Sequence, residues 1–197
     1  EQACLLMHTD LKDGHGQDLA AILKELKLDN GQVILSSSKF SQEILSAMYN
    51  MADCTVNIAD AEGFGLATLE SLSCGTPVIV NMTGGLQEQV TNGEEWFGFG
   101  LEPSSKAIIG SQQVPYIYED RLNKDDFLDA MNGMYTLWKE KDSEYRHMCK
   151  RGREHVNDKY NFENFGRQWI ELMESIHEKY GSWENRKGYK NWELKIL

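Results

Sequence analysis

The stretch Asp60-Ala61-Glu62-Gly63-Phe64-Gly65-Leu66-Ala67-Thr68-Leu69-Glu70 sets two carboxylates on either side of a glycine pair. Gly63 and Gly65 have no side chain to cover their backbone N–H groups. Where such a loop opens a helix, unpaired donors and the positive end of the helix dipole favour an anion, phosphate above all. No Lys or Arg occurs between Lys39 and Lys106, so a bound diphosphate would need countercharge from elsewhere, such as chain outside this sequence. A dinucleotide-binding turn is the competing reading, but its third glycine position is Thr68 and Glu62 stands directly before the loop, so that fingerprint fails. A carboxylate there is better suited to accepting hydrogen bonds from sugar hydroxyls than to facing a pyrophosphate. Glu70 lies eight residues on. At the helical rise the two acids would be roughly 12 Å apart, more than a glycosidase pair spans. Hydrolysis by paired carboxylates is disfavoured, and the spacing suits one acid at each end of a ligand, Glu62 on a sugar and Glu70 on a ribose.

The elements that must position these residues alternate between two periods. Short apolar runs at 4–8, 33–36, 54–58 and 77–80 read as buried central strands. Between them, 17–26 places Leu19, Ile22, Leu23 and Leu26 on one face, and 41–51 does the same with Ile44, Leu45 and Met48 behind a cap-like start at Ser41. A third helix should run from about Gly65 to Ser73, stopped by Cys74-Gly75-Thr76-Pro77. The fold class expected is therefore α/β, a Rossmann-like parallel sheet with crossover helices. The glycine loop falls after the 54–58 strand, where open parallel sheets bind ligands. Residues 91–122 read as an ordered loop insertion, including the unusual Gln113-Val114-Pro115-Tyr116-Ile117-Tyr118-Glu119-Asp120. Three helices should follow, at 124–139, 142–157 and 162–178. The last carries Phe165, Trp169, Leu172, Met173 and Ile176 on one stripe, with Trp169 and Leu172 read as core.

Bulk properties bound the function. The 197 residues are 41% hydrophobic and 26% charged, enough for one well-buried domain with appendages. A net charge of −11 without a basic stripe argues against nucleic acid as a partner. The longest apolar runs are far shorter than a membrane span and no charged-then-apolar leader opens the chain, so the sequence reads as soluble, unsecreted and cytoplasmic. Cys4, Cys54, Cys74 and Cys149 form no CxxC pair and read as buried reduced thiols. The histidines His8, His15, His147, His155 and His177 are scattered, and Arg146, Lys150, Arg151 and Arg153 read as a solvated helix face. The first residue is not Met and an apolar run begins at Ala3, which reads as a piece cut from a longer protein.

Glu62-Gly63-Phe64-Gly65 through Glu70, then Ser73-Cys74-Gly75-Thr76-Pro77-Val78-Ile79, then Gly84-Gly85-Leu86-Gln87-Glu88 resemble the family 4 glycosyltransferases. Tyr49-Asn50-Met51-Ala52-Asp53 before these, and Gly152-Arg153-Glu154 with Tyr160-Asn161-Phe162-Glu163 after them, resemble the family pattern in the same order. Together they cover about residues 3–178. The resemblance implies the C-terminal, donor-binding half of a GT-B fold with extra C-terminal helices. The reaction implied is transfer of a sugar from a nucleotide-sugar donor with retention of configuration, and no metal or other cofactor is needed.

Carried over by position, the resemblance implies Glu62 as the catalytic residue on the donor sugar. Gly63, Phe64, Gly65 and Leu66 would meet sugar and phosphate through their backbone, Glu70 would hold the ribose, and Gly84 and Gly85 would shape the loop beside the sugar. Phe40 and Ser41 would lie near the base. Residues 1–178 form the donor-binding domain in this reading, and 179–197 form a tail around Trp183 and Trp192. The family's first strand and helix, with their Arg and Lys for the diphosphate, would precede Glu1, as would the acceptor-binding domain, through which a peripheral membrane acceptor would be reached. The piece alone is then expected to be inactive, within a full-length protein that is an enzyme. Readings without this chemistry stay open: Glu62 as an acid stabilised by a helix dipole, Glu70 as a helix-surface acid, Gly84-Gly85 as a plain turn, a non-catalytic nucleotide-sugar-binding module, or a sugar-nucleotide epimerase on the same scaffold.

Overall fold

A computed structural model describes residues 3–11, 13, 14 and 16–188. His15 and the end of the expected tail, including Trp192, lie outside the described residues. Contacts divide the chain into two compact units, Glu1–Leu45 and Ser46–Leu197.

In the first unit, β1 (Leu5–His8) and β2 (Val33–Ser36) pair in parallel, Leu5 opposite Val33 and His8 opposite Ser36, with α1 (Leu19–Glu25) as the crossover. Asp18 caps α1 by accepting from the Ala21 N–H at 3.0 Å. These two strands were expected to be buried, but Leu5 is 50% exposed and Ile34 53%. A two-stranded sheet has no inner strand, so neither is closed off on both edges. Cys4 is likewise exposed, and Cys54, Cys74 and Cys149 are half-buried, against the expectation of four buried thiols.

In the second unit, α2 (Gln42–Met51), which begins just before the division, leads into β3 (Thr55–Asn57). Then follow α3 (Leu66–Cys74), β4 (Val78–Asn81), α4 (Leu86–Val90) and β5 (Gly98–Leu101). The three strands form a parallel sheet in the order β3-β4-β5, with Thr55 and Gly98 both opposite Val78. Valine, isoleucine and asparagine in β4 are wholly buried because this strand has a neighbour on each edge and helices on each face.

Alternation along β4 divides the core in two. Val78 and Val80 join Leu72 of α3, Leu86 and Val90 of α4, Phe97, and Val156 of α6 (Asp142–Lys159). Ile79 points the other way, to Leu101 and to Ala130 and Met134 of α5 (Lys124–Glu140). Gly75, in the left-handed region at φ 84°, ends α3 and donates to the Leu72 carbonyl at 2.9 Å, which turns the chain into β4.

Residues 91–122 differ from the expected loop. They contain β5 and an antiparallel hairpin, β6 (Ser105–Ile108) with β7 (Tyr118–Arg121), Ser105 opposite Arg121. Gly98-Phe99-Gly100-Leu101 lies within that expected loop but forms a strand, and Gly98 must be small because a Cβ there would overlap the Val78 carbonyl across the sheet.

The last helix, α7 (Phe162–Tyr180), also departs from expectation. Trp169 and Leu172 are about half exposed, and no α7 residue is buried, so its apolar stripe is surface rather than core. On α6, Arg151 is not a solvated cation: it bonds Glu95 at 2.9 Å and Glu154 at 2.7 Å. Among the described residues no helix is long and apolar enough to cross a membrane.

Candidate functional site

Strand β3 hands the chain to a tight turn: Asn57 accepts from the Ala59 N–H at 3.2 Å. The carbonyls that follow are then engaged by groups from the neighbouring strand, loops and helix. Ala59 accepts from Nδ2 of buried Asn81 at 3.0 Å, and Asp60 from the Asp120 N–H at 2.7 Å. Gly63 accepts from the Gly85 N–H at 3.1 Å, and Phe64 from Nε2 of buried Gln89 at 2.5 Å. Among the described residues the N–H groups of residues 61–65 make no hydrogen bond. They sit at the N-terminus of α3, nine residues long, where partial positive charge accumulates. Ala61, Gly63 and Phe64 are exposed there and Glu62 is half-buried, whereas Gly65 is buried.

The glycines allow this geometry in two ways. Gly65 caps α3 at φ 87° and Gly84 lies at φ 50°, backbone conformations that favour glycine. Gly85 has an ordinary helical φ, but a Cβ on it would come within 2.5 Å of the Phe64 carbonyl oxygen, and one on Gly84 would overlap the Glu62 carbonyl. The two glycine loops therefore touch backbone to backbone. Residues 62–66 and 84–85, separate in sequence, form one surface.

Glu62 is half-buried at the centre of this surface. Phe64 is about half exposed, its ring edge-on to Tyr160 at 6.1 Å. Leu66 opens α3 and is exposed. The helix begins here, not at Glu62, so the helical rise between the two acids applies only from residue 66 onward. Glu70, one turn into α3, accepts from the Tyr49 hydroxyl at 3.0 Å. Burial, and then the Glu70 carboxylate, push the Tyr49 phenol above its ordinary range, so it remains a donor. Tyr49 is held in turn through its carbonyl, which accepts from the Thr76 hydroxyl at 2.7 Å. Phe40 and Ser41 belong to the first unit. There Phe40 stacks on His8 with ring centroids 5.1 Å apart, and the Ser41 carbonyl accepts the Leu45 N–H at 3.0 Å.

Several residues that shape this surface carry no local motif. Tyr49 stands in a quoted motif, but nothing in the sequence pairs it with Glu70. Gln89 and Asn81 are fully buried polar side chains, and each keeps one oxygen without a hydrogen-bond partner. Asp120 and Arg121 come from β7. Arg121 reaches Asp60 at 2.6 Å and also pairs with Glu119. The only available signal was the unusual composition around Gln113–Asp120.

The family model described as glycosyl transferases group 1 matches residues 14–132. The N-acetyl-alpha-D-glucosaminyl L-malate synthase of Bacillus anthracis is 24% identical over 129 residues, 64% of this chain and 32% of that protein. Sucrose-phosphate synthase from Thermosynechococcus elongatus has a similar fold, with TM-score 0.62 and 23% identity over 90% of this chain and 39% of that one. Anabaena HepE, solved in complex with UDP and glucose, superposes with TM-score 0.57 and 18% identity over 80% of this chain and 36% of its own. The chain thus spans well under half the length of these proteins, and its α/β architecture matches the C-terminal domains of GT-B glycosyltransferases.

Proposed function

The chain belongs to the group 1 glycosyl transferases, and from that premise we propose that it is the nucleotide-sugar-binding part of a retaining, family 4 enzyme. The observation that carries this reading is the loop at residues 59–65: the carbonyls of Ala59, Asp60, Gly63 and Phe64 are engaged, and among the described residues the N–H groups of residues 61–65, at the start of α3, make no hydrogen bond. In this reading those donors, with the backbone of Gly63, Phe64, Gly65 and Leu66, receive the diphosphate and the adjoining sugar. As the bond from the sugar to the diphosphate weakens, negative charge grows on the departing oxygens, and preorganised N–H groups stabilise it without reorganising. The resemblance to family 4 implies that no metal is required for this.

Glu62, on the sugar side, accepts from sugar hydroxyls and is the residue proposed to act at the reacting end. Gly84 and Gly85 bring a second backbone against the loop and leave room for the sugar. Glu70, on the other side, takes the ribose hydroxyls, with Tyr49 holding its carboxylate in place. The donor domain comprises residues 1–178 with 179–197 as a tail, and the acceptor is bound by a separate domain of the full-length, cytoplasmic protein. HepE was crystallised with UDP and glucose, which supports a nucleotide sugar as the ligand class here.

Calorimetric titration of the full-length protein with UDP, GDP, ADP and their glucose or mannose conjugates tests the reading. Saturable binding of one nucleotide class, lost in Glu70→Ala, is the expected result. Binding of none of them would sink it.

A further inference from the structure

The hairpin β6–β7 has no part in the sheet, yet its last strand reaches the glycine loops at several points. The Asp120 N–H donates to Asp60 O at 2.7 Å, and Asn81 Nδ2 donates to Asp120 O at 2.8 Å while also holding Ala59 O. The Asp120 carboxylate accepts from the Thr83 hydroxyl at 2.8 Å. Its second oxygen makes no hydrogen bond and has Lys106 of β6 at 3.5 Å. Arg121 fixes the Asp60 side chain at 2.6 Å.

Asp60 lies two residues before Glu62, and Thr83 directly precedes Gly84. Asp120 thus ties together the two loops that meet at the proposed sugar end. Asn81 and Thr83 are almost fully buried, so their bonds to Asp120 are made away from bulk water, where leaving a partner unpaired is costly. Among the described residues no hydrogen bond from β7 falls on Tyr49 or Glu70 at the proposed ribose end. Lys106 and Arg121 are also the first cations after Lys39, delivered to a loop whose own sequence has none. Arg121 neutralises Asp60, whose bare charge would oppose an approaching diphosphate.

We propose that the β6–β7 hairpin is a positioning element for the sugar end of the donor site, acting through Asp120 on the Glu62 loop and the Gly84–Gly85 loop together. This rests on the donor-binding reading above. Asp120 touches no reacting atom; it sets the distance between the two backbones that do. Its loss therefore loosens the sugar pocket and leaves the ribose contact in place.

The test compares, in the full-length protein, the affinity for a nucleotide sugar with that for the matching nucleoside diphosphate, using UDP-glucose with UDP, GDP-mannose with GDP, and ADP-glucose with ADP. Asp120→Ala removes the carboxylate. Thr83→Val removes the same contact from the other side while keeping the shape, and stands in if Asp120→Ala does not fold. In both variants the ratio of sugar-nucleotide to diphosphate affinity should fall about tenfold, the size of effect expected from losing a buried hydrogen bond to a charged group. Asp120→Asn, which still accepts from Thr83, should restore most of that ratio. An unchanged ratio in Thr83→Val and Asp120→Ala would overturn the proposal, as would an equal loss for both ligands, which marks a purely structural prop. If the unaltered protein binds no probe, the donor-binding reading itself fails, and the positioning role fails with it.

Discussion

The Tyr49 hydroxyl donates to the Glu70 carboxylate at 3.0 Å, joining α2 to α3 across 21 positions of sequence. Both ends of this bond are fixed: Tyr49 through Thr76, and Glu70 through its place one turn into α3. Under the proposed role of Glu70 at the ribose, a carboxylate held in one rotamer loses less entropy on receiving the hydroxyls, and Tyr49 would then contribute to affinity without touching the ligand. Tyr49→Phe should weaken nucleotide binding about three- to tenfold, matching the net value of one hydrogen bond, with Glu70→Ala weakening it further. Isothermal titration of both variants with the preferred nucleoside diphosphate checks this. Equal affinity in Tyr49→Phe and the unaltered protein would remove Tyr49 from the site.

Glu62→Gln keeps the size of the side chain and removes its charge. The unaltered Glu62 is half-buried and in no ion pair among the described residues, so the fold does not depend on its carboxylate. Transfer by the full-length enzyme should fall on the order of 100-fold, the scale of losing one group that stabilises the transition state, while the melting temperature stays within about 1 °C. Unchanged turnover would leave Glu62 with only the role of an acid at a helix start.

The parts of this molecule that were legible in sequence are those where chemistry and period coincide. The four short apolar runs became β1 to β4, and the glycine loop does follow β3 and open α3. The strand at Gly98–Leu101 was not legible because two of its four residues are glycines, selected not by strand propensity but by close neighbours, the Val78 backbone against Gly98 and the Met82 and Trp96 side chains against Gly100. Burial was also misread on α7. Its apolar spacing is that of a core helix, but periodicity reports which face is apolar and carries no information on what covers it. Pairings such as Tyr49 with Glu70 and Asp120 with Thr83 span 21 and 37 positions. They depend on how the strands and loops come together, and a single sequence does not encode that in any local pattern.

Gly63 and Gly85 separate the two reasons a loop uses glycine. A Cβ on Gly63 meets nothing within 4 Å, so Gly63→Ala should leave stability unchanged and act only by crowding a ligand that approaches the neighbouring N–H groups. A Cβ on Gly85 would press on the Phe64 backbone, and Gly85→Ala should cost about 1–3 kcal/mol through forced separation of the two loops. Thermal melts of the two variants distinguish them. A lowered melting temperature in Gly63→Ala, or none in Gly85→Ala, would contradict the packing described here.

His155 provides a test that depends on acid. Its ring stacks on Phe97 with centroids 4.6 Å apart, and Nε2 lies 3.3 Å from the Glu88 carbonyl. Burial holds its pKa below the ordinary value of 6.5. The unfolded chain therefore takes up a proton on this ring at a higher pH than the folded chain does. Between the two pKa values the unfolded state binds more protons, so stability rises with pH across that window. The contribution of the neutral ring is complete above about pH 6.5 and is lost as pH falls through the folded value. Urea unfolding of the unaltered protein and of His155→Gln, followed from pH 7.5 downward, should give curves whose difference shrinks below about pH 6.5. A difference that stays constant over that range would show that the ring against Phe97 titrates as it does in the unfolded chain.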